Sequence, residues 1–308
     1  MEEALSWGRG VKAVTRATHF ELARLMDRMR DYYEGRSWEM IQLMFQRFDV
    51  DNVKTVLRGL ENRLPSEEIF HAFTVFGNID KKILMEIAGA DDPRKAIDQM
   101  ASMRLPIAEP LMTHRVEKPG APLQELEVTL ERWHVENTVR ELGKPRSDDK
   151  ALLDAVKMDV DLFNLILVLR FVRTPAQRQL LEEEQGMQVS ELLLEHGSLS
   201  MLRLRKAAQE TSVEIAISAF GHCAYEDALA IGLNRYQQTG RLSEIERELR
   251  HHRLVWLRKQ ISIDPLGISV PLGVTALKAS EGMDIRWVAW GLQMRLPSEE
   301  SVAELELP

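Results

Sequence analysis

Two short patterns recur along this chain in the same order, and a chain that repeats itself tends to fold as copies of one supersecondary unit. The first reads Leu22…Met26-Asp27-Arg28-Met29, then Leu126…Leu130-Glu131-Arg132-Trp133, then Leu229…Leu233-Asn234-Arg235-Tyr236. Its markers Arg28, Arg132 and Arg235 stand 104 and 103 residues apart. The second is Asp49-x-x-Asn52 followed by Val53, Val56, Leu57 and Arg58, which returns as Asp161-x-x-Asn164 followed by Leu165, Val168, Leu169 and Arg170. A divergent third copy, Glu281-x-x-Asp284 with Ile285, Val288 and Ala289, has Trp290 in place of the arginine. An acidic residue and its polar neighbour three positions on share a helix face, and the apolar set forms an adjoining stripe. Any single match carries little weight, because all amphipathic helices repeat at ~3.6 residues. Two independent patterns recurring three times in one order carry much more.

Helical periodicity runs through nearly the whole sequence, and no strand-like alternation lasts long enough to compete. Residues 20–33 and 38–57 read as a helical hairpin broken at Gly35, with Arg58-Gly59 closing its second helix through a left-handed glycine. Pro65 opens a further helix whose first turn holds Ser66, Glu67 and Glu68. Gly77-Asn78-Ile79 leads into a helix pair over 81–100, and Gly197-Ser198-Leu199 leads into another over 201–219. Proline-rich 105–122 reads as a linker, with weaker breaks at 144–147 and at 264–267 through 271–273. The expected fold is all-α, in three divergent helical bundle modules at 1–110, 111–220 and 221–308.

A formal charge of -8 argues against nucleic acid or anionic lipid as partner, since both demand a positive field. The single cysteine, Cys223, rules out an intramolecular disulfide and a cysteine-based zinc site, and reads as a small buried residue. No apolar run approaches the ~20 residues that span a bilayer. The best, 162–169, stops at Arg170. The start carries Glu2 and Glu3 with no apolar core, so no secretory signal is expected.

Phosphate-cradling motifs of the G-x-x-x-x-G-K-[ST] and G-x-G-x-x-G types are absent. Asp49, Asp51, Asp159 and Asp161 could suggest paired magnesium-binding carboxylates. Neither pair has the further i+4 carboxylate that such a motif needs, so caps and ion pairs are the better reading. His251 and His252 point about 100° apart on a helix and read as solvated. Around them lies the most basic stretch, 247–259, where Arg250 and Arg253 are candidates for meeting an acidic partner surface. The competing reading is a solvated face balanced by Glu244, Glu246 and Glu248. No catalytic, metal or cofactor residue is expected.

Phe48-Asp49-Val50-Asp51-Asn52-Val53-Lys54 with Leu57-Arg58, and Met158-Asp159-Val160-Asp161 with Asn164 and Leu169-Arg170, carry a family likeness. So does Pro271-Leu272-Gly273 with Lys278, Glu281 and 284–289. On these residues the chain resembles the C subunits of bacterial and archaeal V/A-type ATPases, whose counterparts in eukaryotic V-ATPases are the d subunits. The likeness runs over about 20–292, with Asp284 where the family tends to have asparagine and a shortened first helical segment. The resemblance implies three pseudo-repeated bundles forming a funnel-like body on the cytoplasmic face of the membrane. It implies the central shaft subunits and the membrane rotor ring as partners, without nucleic acid or direct membrane insertion. The implied role is non-catalytic: coupling ATP hydrolysis or synthesis to proton or sodium transport. A helical scaffold or regulator outside the ATPase is the alternative.

Overall fold

A computed structural model describes residues 10–73, 77–143, 149–184, 186–297 and 305. The expectation of no secretory signal, which rests on the first nine residues, and the break at 144–147 lie outside the described residues. Among the described residues there are fourteen α-helices and no strands, as an all-α reading requires. In chain order the first seven are α1 (Gly10–Tyr32), α2 (Gly35–Glu61), α3 (Ser66–Ala72), α4 (Lys81–Ala88), α5 (Pro93–Ser102), α6 (Ala108–Glu117) and α7 (Leu123–Leu142). The second seven are α8 (Lys150–Arg173), α9 (Pro175–Glu184), α10 (Met201–Ala207), α11 (Val213–Phe220), α12 (Glu226–Thr239), α13 (Ser243–Ile263) and α14 (Ser269–Met294). A 3-10 turn, Val189–Glu191, lies between α9 and α10. No described helix is long and apolar enough to cross a membrane.

The described helices gather into two compact units, one of α1–α7 with α14 and one of α8–α13. In the first, α2 is the central element and packs against α3, α4, α5 and α7. Its Val50, Val53, Val56 and Leu57 are fully buried, together with Leu84, Ile87, Met100, Leu111 and Leu130 from the surrounding helices. Each such side chain contributes about 1.5–3 kcal/mol on leaving water. In the second unit α8 holds the same place, packed against α9, α10, α11 and α13, with α12 on α13.

Local chemistry sets many boundaries. Asp80 and Asp92 cap α4 and α5 by accepting from Lys82 N at 2.7 Å and Lys95 N at 2.9 Å. Pro65 stands just before α3, and Glu67 and Glu68 fill its first turn. Several expectations need correction. The proline-rich stretch 105–122 is not a plain linker, because it contains α6: Pro110 sits in that helix's first turn, where amides have no intrahelical acceptor. Pro271 is in the first turn of α14 for the same reason, so 271–273 is not a break.

Gly59 does not end α2, which continues to Glu61; Arg63, at φ 54°, is the left-handed residue. The glycine serves close approach instead, since a Cβ there would lie 2.7 Å from Ile69 Cδ1 of α3. Nor do α1 and α2 form the principal pair: α1 packs chiefly on α14. Cys223 is only half-buried. His252 is not simply solvated, for its ring packs edge-on at 5.5 Å from Tyr225, and burial lowers its pKa.

Where α12 crosses α13, a Cβ on Gly232 would stand 2.7 Å from Ile245 Cα, a backbone atom that cannot rotate away. Gly232→Ala is therefore expected to lower stability by about 1–3 kcal/mol by forcing the two helices apart. The helix-propensity gain of about 1 kcal/mol from alanine would offset only part of this. Urea unfolding measures it, and a variant at least as stable as the parent would show that the crossing is loose.

Candidate functional site

The acidic residues of the first two copies of the second pattern, Asp49 and Asp161, lie on α2 and α8, and the structure gives both one task. Asp49 is buried on α2, where its Oδ2 accepts from Asn78 N and its Oδ1 from Ile79 N, both at 2.9 Å. Asp161 is buried on α8; its Oδ2 accepts from Ser198 N and its Oδ1 from Leu199 N, both at 3.0 Å. Each carboxylate thus clamps two successive backbone amides of the segment that leads into the next short helix. The preceding glycine makes the clamp fit, because a Cβ at Gly77 or Gly197 would collide with the carboxylate itself.

The surroundings extend each clamp. Arg30 Nη2 donates to Gly77 O at 2.7 Å, and Asn78 Nδ2 to Gln42 O at 2.9 Å. Ser198 Oγ donates to Asp161, and Tyr225 OH donates to Asp161 Oδ2 at 2.9 Å. Asn164 faces the same segment, donating to Leu194 O at 2.8 Å and accepting from Leu194 N at 2.9 Å. Asn52 is equally buried on α2. Burial pushes the Asp49 pKa up to about 6, while the Ile79 and Asn78 amides and the nearby Arg30 act to lower it.

The matched arginines also do one task. Arg58 makes a two-pronged contact with Glu127 of α7, at 2.5 and 2.6 Å. Arg170 does the same with Glu246 of α13, at 2.9 and 3.1 Å. Two residues before each anchor the charges are reversed: Arg47 pairs with Glu131 of α7, and Asp159 pairs with Arg253 of α13. Asp51 faces Arg47 at 3.2 Å, and Lys54 joins Glu131.

Of the interface candidates, Arg253 is thus held inside the chain, while Arg250 is exposed and 3.9 Å from Glu246. Arg28 is exposed on α1, Arg132 is half-buried on α7, and Arg235 of α12 pairs with Glu248 of α13. Glu281 of α14 is exposed and contacts Lys278 at 2.8 Å; Asp284 is half-buried. Sequence reading missed Tyr225, and it quoted Glu131 only as a member of the first pattern, without its pairing with Arg47 and Lys54. No local signal marks a tyrosine whose partner lies 64 residues away. The equal order of Asp49 before Gly77-Asn78-Ile79 and Asp161 before Gly197-Ser198-Leu199 was the available clue to the clamps.

No group of three or more metal-ligating side chains occurs among the described residues. Both oxygens of each anchor are engaged by the chain itself, so the arrangement braces helices and their following segments. An all-helical, internally braced protein of this kind is what the fold defines. The model of the family described as "ATP synthase (C/AC39) subunit" matches residues 1–303. The chain belongs to that family, the C subunits of V/A-type ATP synthases, which are equivalent to the d subunits of eukaryotic V-ATPases and form a non-catalytic part of the rotary complex. Among similar proteins is the A-type ATP synthase C subunit of Haloferax volcanii, 24% identical over 304 residues, covering 96% of this chain and 82% of that protein. The one from Halorubrum lacusprofundi is 25% identical over the same shares, and that from Methanosarcina barkeri is 23% identical, covering 92% and 74%.

Glu131 offers a pH test of the bracing. Burial raises its pKa, but Arg47 and Lys54 together outweigh this and bring it down to about 2. A carboxyl depressed in the folded state stabilises the fold above its ordinary pKa near 4.5, and that contribution is lost as pH falls toward 2. Glu131→Gln should therefore be less stable than the parent at pH 7 by on the order of 3 kcal/mol. The gap should narrow steadily below pH 4.5 in urea unfolding. A gap independent of pH would show that Glu131 is not held by its two cations.

Proposed function

We propose that this chain is a central-rotor part of a V/A-type ATPase, seating the central shaft on the membrane ion-carrying ring from the cytoplasmic face. In that position it links ATP hydrolysis or synthesis to proton or sodium transport without reacting itself. The observation that carries this reading is the family match over 1–303, reinforced by relatives named as C subunits of A-type ATP synthases. Torque transmission asks for stiffness, and stiffness comes from close-packed helices whose connecting segments are tied down. The carboxylate clamps at Asp49 and Asp161 supply such ties in both compact units.

The same proposal includes a threefold organisation over 1–110, 111–220 and 221–308. It is supported by the matching tasks of Asp49 with Asp161 and of Arg58 with Arg170. Its third member would centre on Glu281 and Asp284 of α14.

The test is reconstitution of the rotary complex with and without this chain. With it present, the shaft subunits should co-purify with the membrane ring, and ATP should drive ion uptake into vesicles. Without it, ATP hydrolysis should persist while ion uptake is lost. Full ion uptake in its absence would overturn the reading.

A further inference from the structure

A cleft of about 470 Å³ opens in the first compact unit, where the end of α2, the start of α5, the end of α6 and the connection into α7 converge. Pockets that hold a small molecule run from about 300 to 1,000 Å³, so this one has room for a ligand of modest size. One wall is apolar: Pro93, Ile97, Leu123 and Leu126 line it, and Leu123 and Leu126 are half-buried against the core cluster. Around the rest stand three cations, Arg94, Arg115 and Lys118.

Those cations are not all committed to partners within the chain. Arg115 is half-buried; its Nη1 donates to Arg94 O at 3.3 Å, which fixes it beside the start of α5, and its Nη2 meets the exposed Asp98 at 2.6 Å. Lys118 reaches Glu125 at 3.0 Å. Neither Asp98 nor Glu125 lines the cleft. Arg94 is exposed, and among the described residues its guanidinium makes no ion pair. Two neighbouring guanidinium groups therefore hold spare N–H donors in the planar fork that suits a carboxylate.

The two acidic residues at the cleft narrow what fits. Asp92 caps α5 through Lys95 N but keeps its charge, and Glu61 is exposed at the end of α2. A polyphosphate would bring several negative charges toward both, whereas a single carboxylate can face the arginines alone. The apolar wall calls for a hydrocarbon body behind that carboxylate.

We propose that this cleft is a binding site for an apolar monocarboxylate, its acid group held by Arg94 and Arg115 beside Lys118 and its hydrocarbon body laid against Leu123 and Leu126. None of the bracing residues Asp49, Arg58 and Glu131 lines the cleft, so the proposal stands apart from the coupling reading.

Isothermal titration of decanoate, kept below its micelle concentration, into the full chain tests this. The expected result is saturable one-to-one binding, with decanol and inorganic phosphate each weaker by about tenfold or more. Arg94→Glu, at an exposed position, should melt as the parent does and bind decanoate about tenfold more weakly. Ala121→Trp, which fills the cleft, should abolish binding; where that variant does not fold, Arg94→Glu decides alone. No saturable binding of decanoate, equal binding of decanol, or undiminished binding by Arg94→Glu would overturn the site. Binding to phosphatidylglycerol vesicles without binding to decanoate would overturn it too, by showing attraction to a charged lipid surface in place of a cleft for a free carboxylate.

Discussion

A buried carboxylate is expensive to take out of water, and here two of them are retained because each binds a pair of backbone amides that would otherwise be stranded. Asp49 and Asp161 stand midway along the two long core helices and hold the segments that lead into α4 and α10. The rest of each unit depends on those ties. With the segment fixed, the short helices after it lie against the long helix and bury Leu84, Ile87 and Met100 in one unit and Leu204 and Ala216 in the other. Glycine at 77 and 197 follows from the same geometry, because any side chain would displace the carboxylate.

Around these anchors the ion pairs are of unequal weight. Arg58 and Arg170 are largely exposed, so their contacts with Glu127 and Glu246 align helices more than they stabilise them. Glu131 is deeply buried between Arg47 and Lys54, and removing one member of such a cluster leaves uncompensated charge. The charge reversal at Arg47 and Asp159 shows the same helix contact satisfied by either polarity. Close-packed helices tied together in this way resist deformation.

Much of this was legible in the sequence. Helical periodicity pointed to the all-α fold, and the aligned offsets of Asp49 and Asp161 marked the two residues with the same structural task. The family likeness, too, stood on residues that prove central to the packing. What escaped were features decided by distant parts of the chain. Pro110 and Pro271 looked like helix breakers, yet both fall in first turns, where proline costs no hydrogen bond. Gly59 looked like a helix end, although the contact that demands it comes from Ile69 of the following helix. Arg253 looked available to a partner, but Asp159, 94 residues earlier, lies beside it. Periodicity reports which face of a helix is apolar, but not which helix will lie against it.

If the two carboxylates lock the segments that lead into α4 and α10, amide hydrogen exchange will show it residue by residue. In the parent chain the amides of Asn78, Ile79, Ser198 and Leu199 should exchange as slowly as those of the neighbouring long helices. With Asp161→Asn, Ser198 and Leu199 should exchange much faster while Asn78 and Ile79 stay protected, and Asp49→Asn should do the converse. Rapid exchange of these four amides in the parent, or equal protection in both variants, would contradict the bracing role of the two carboxylates.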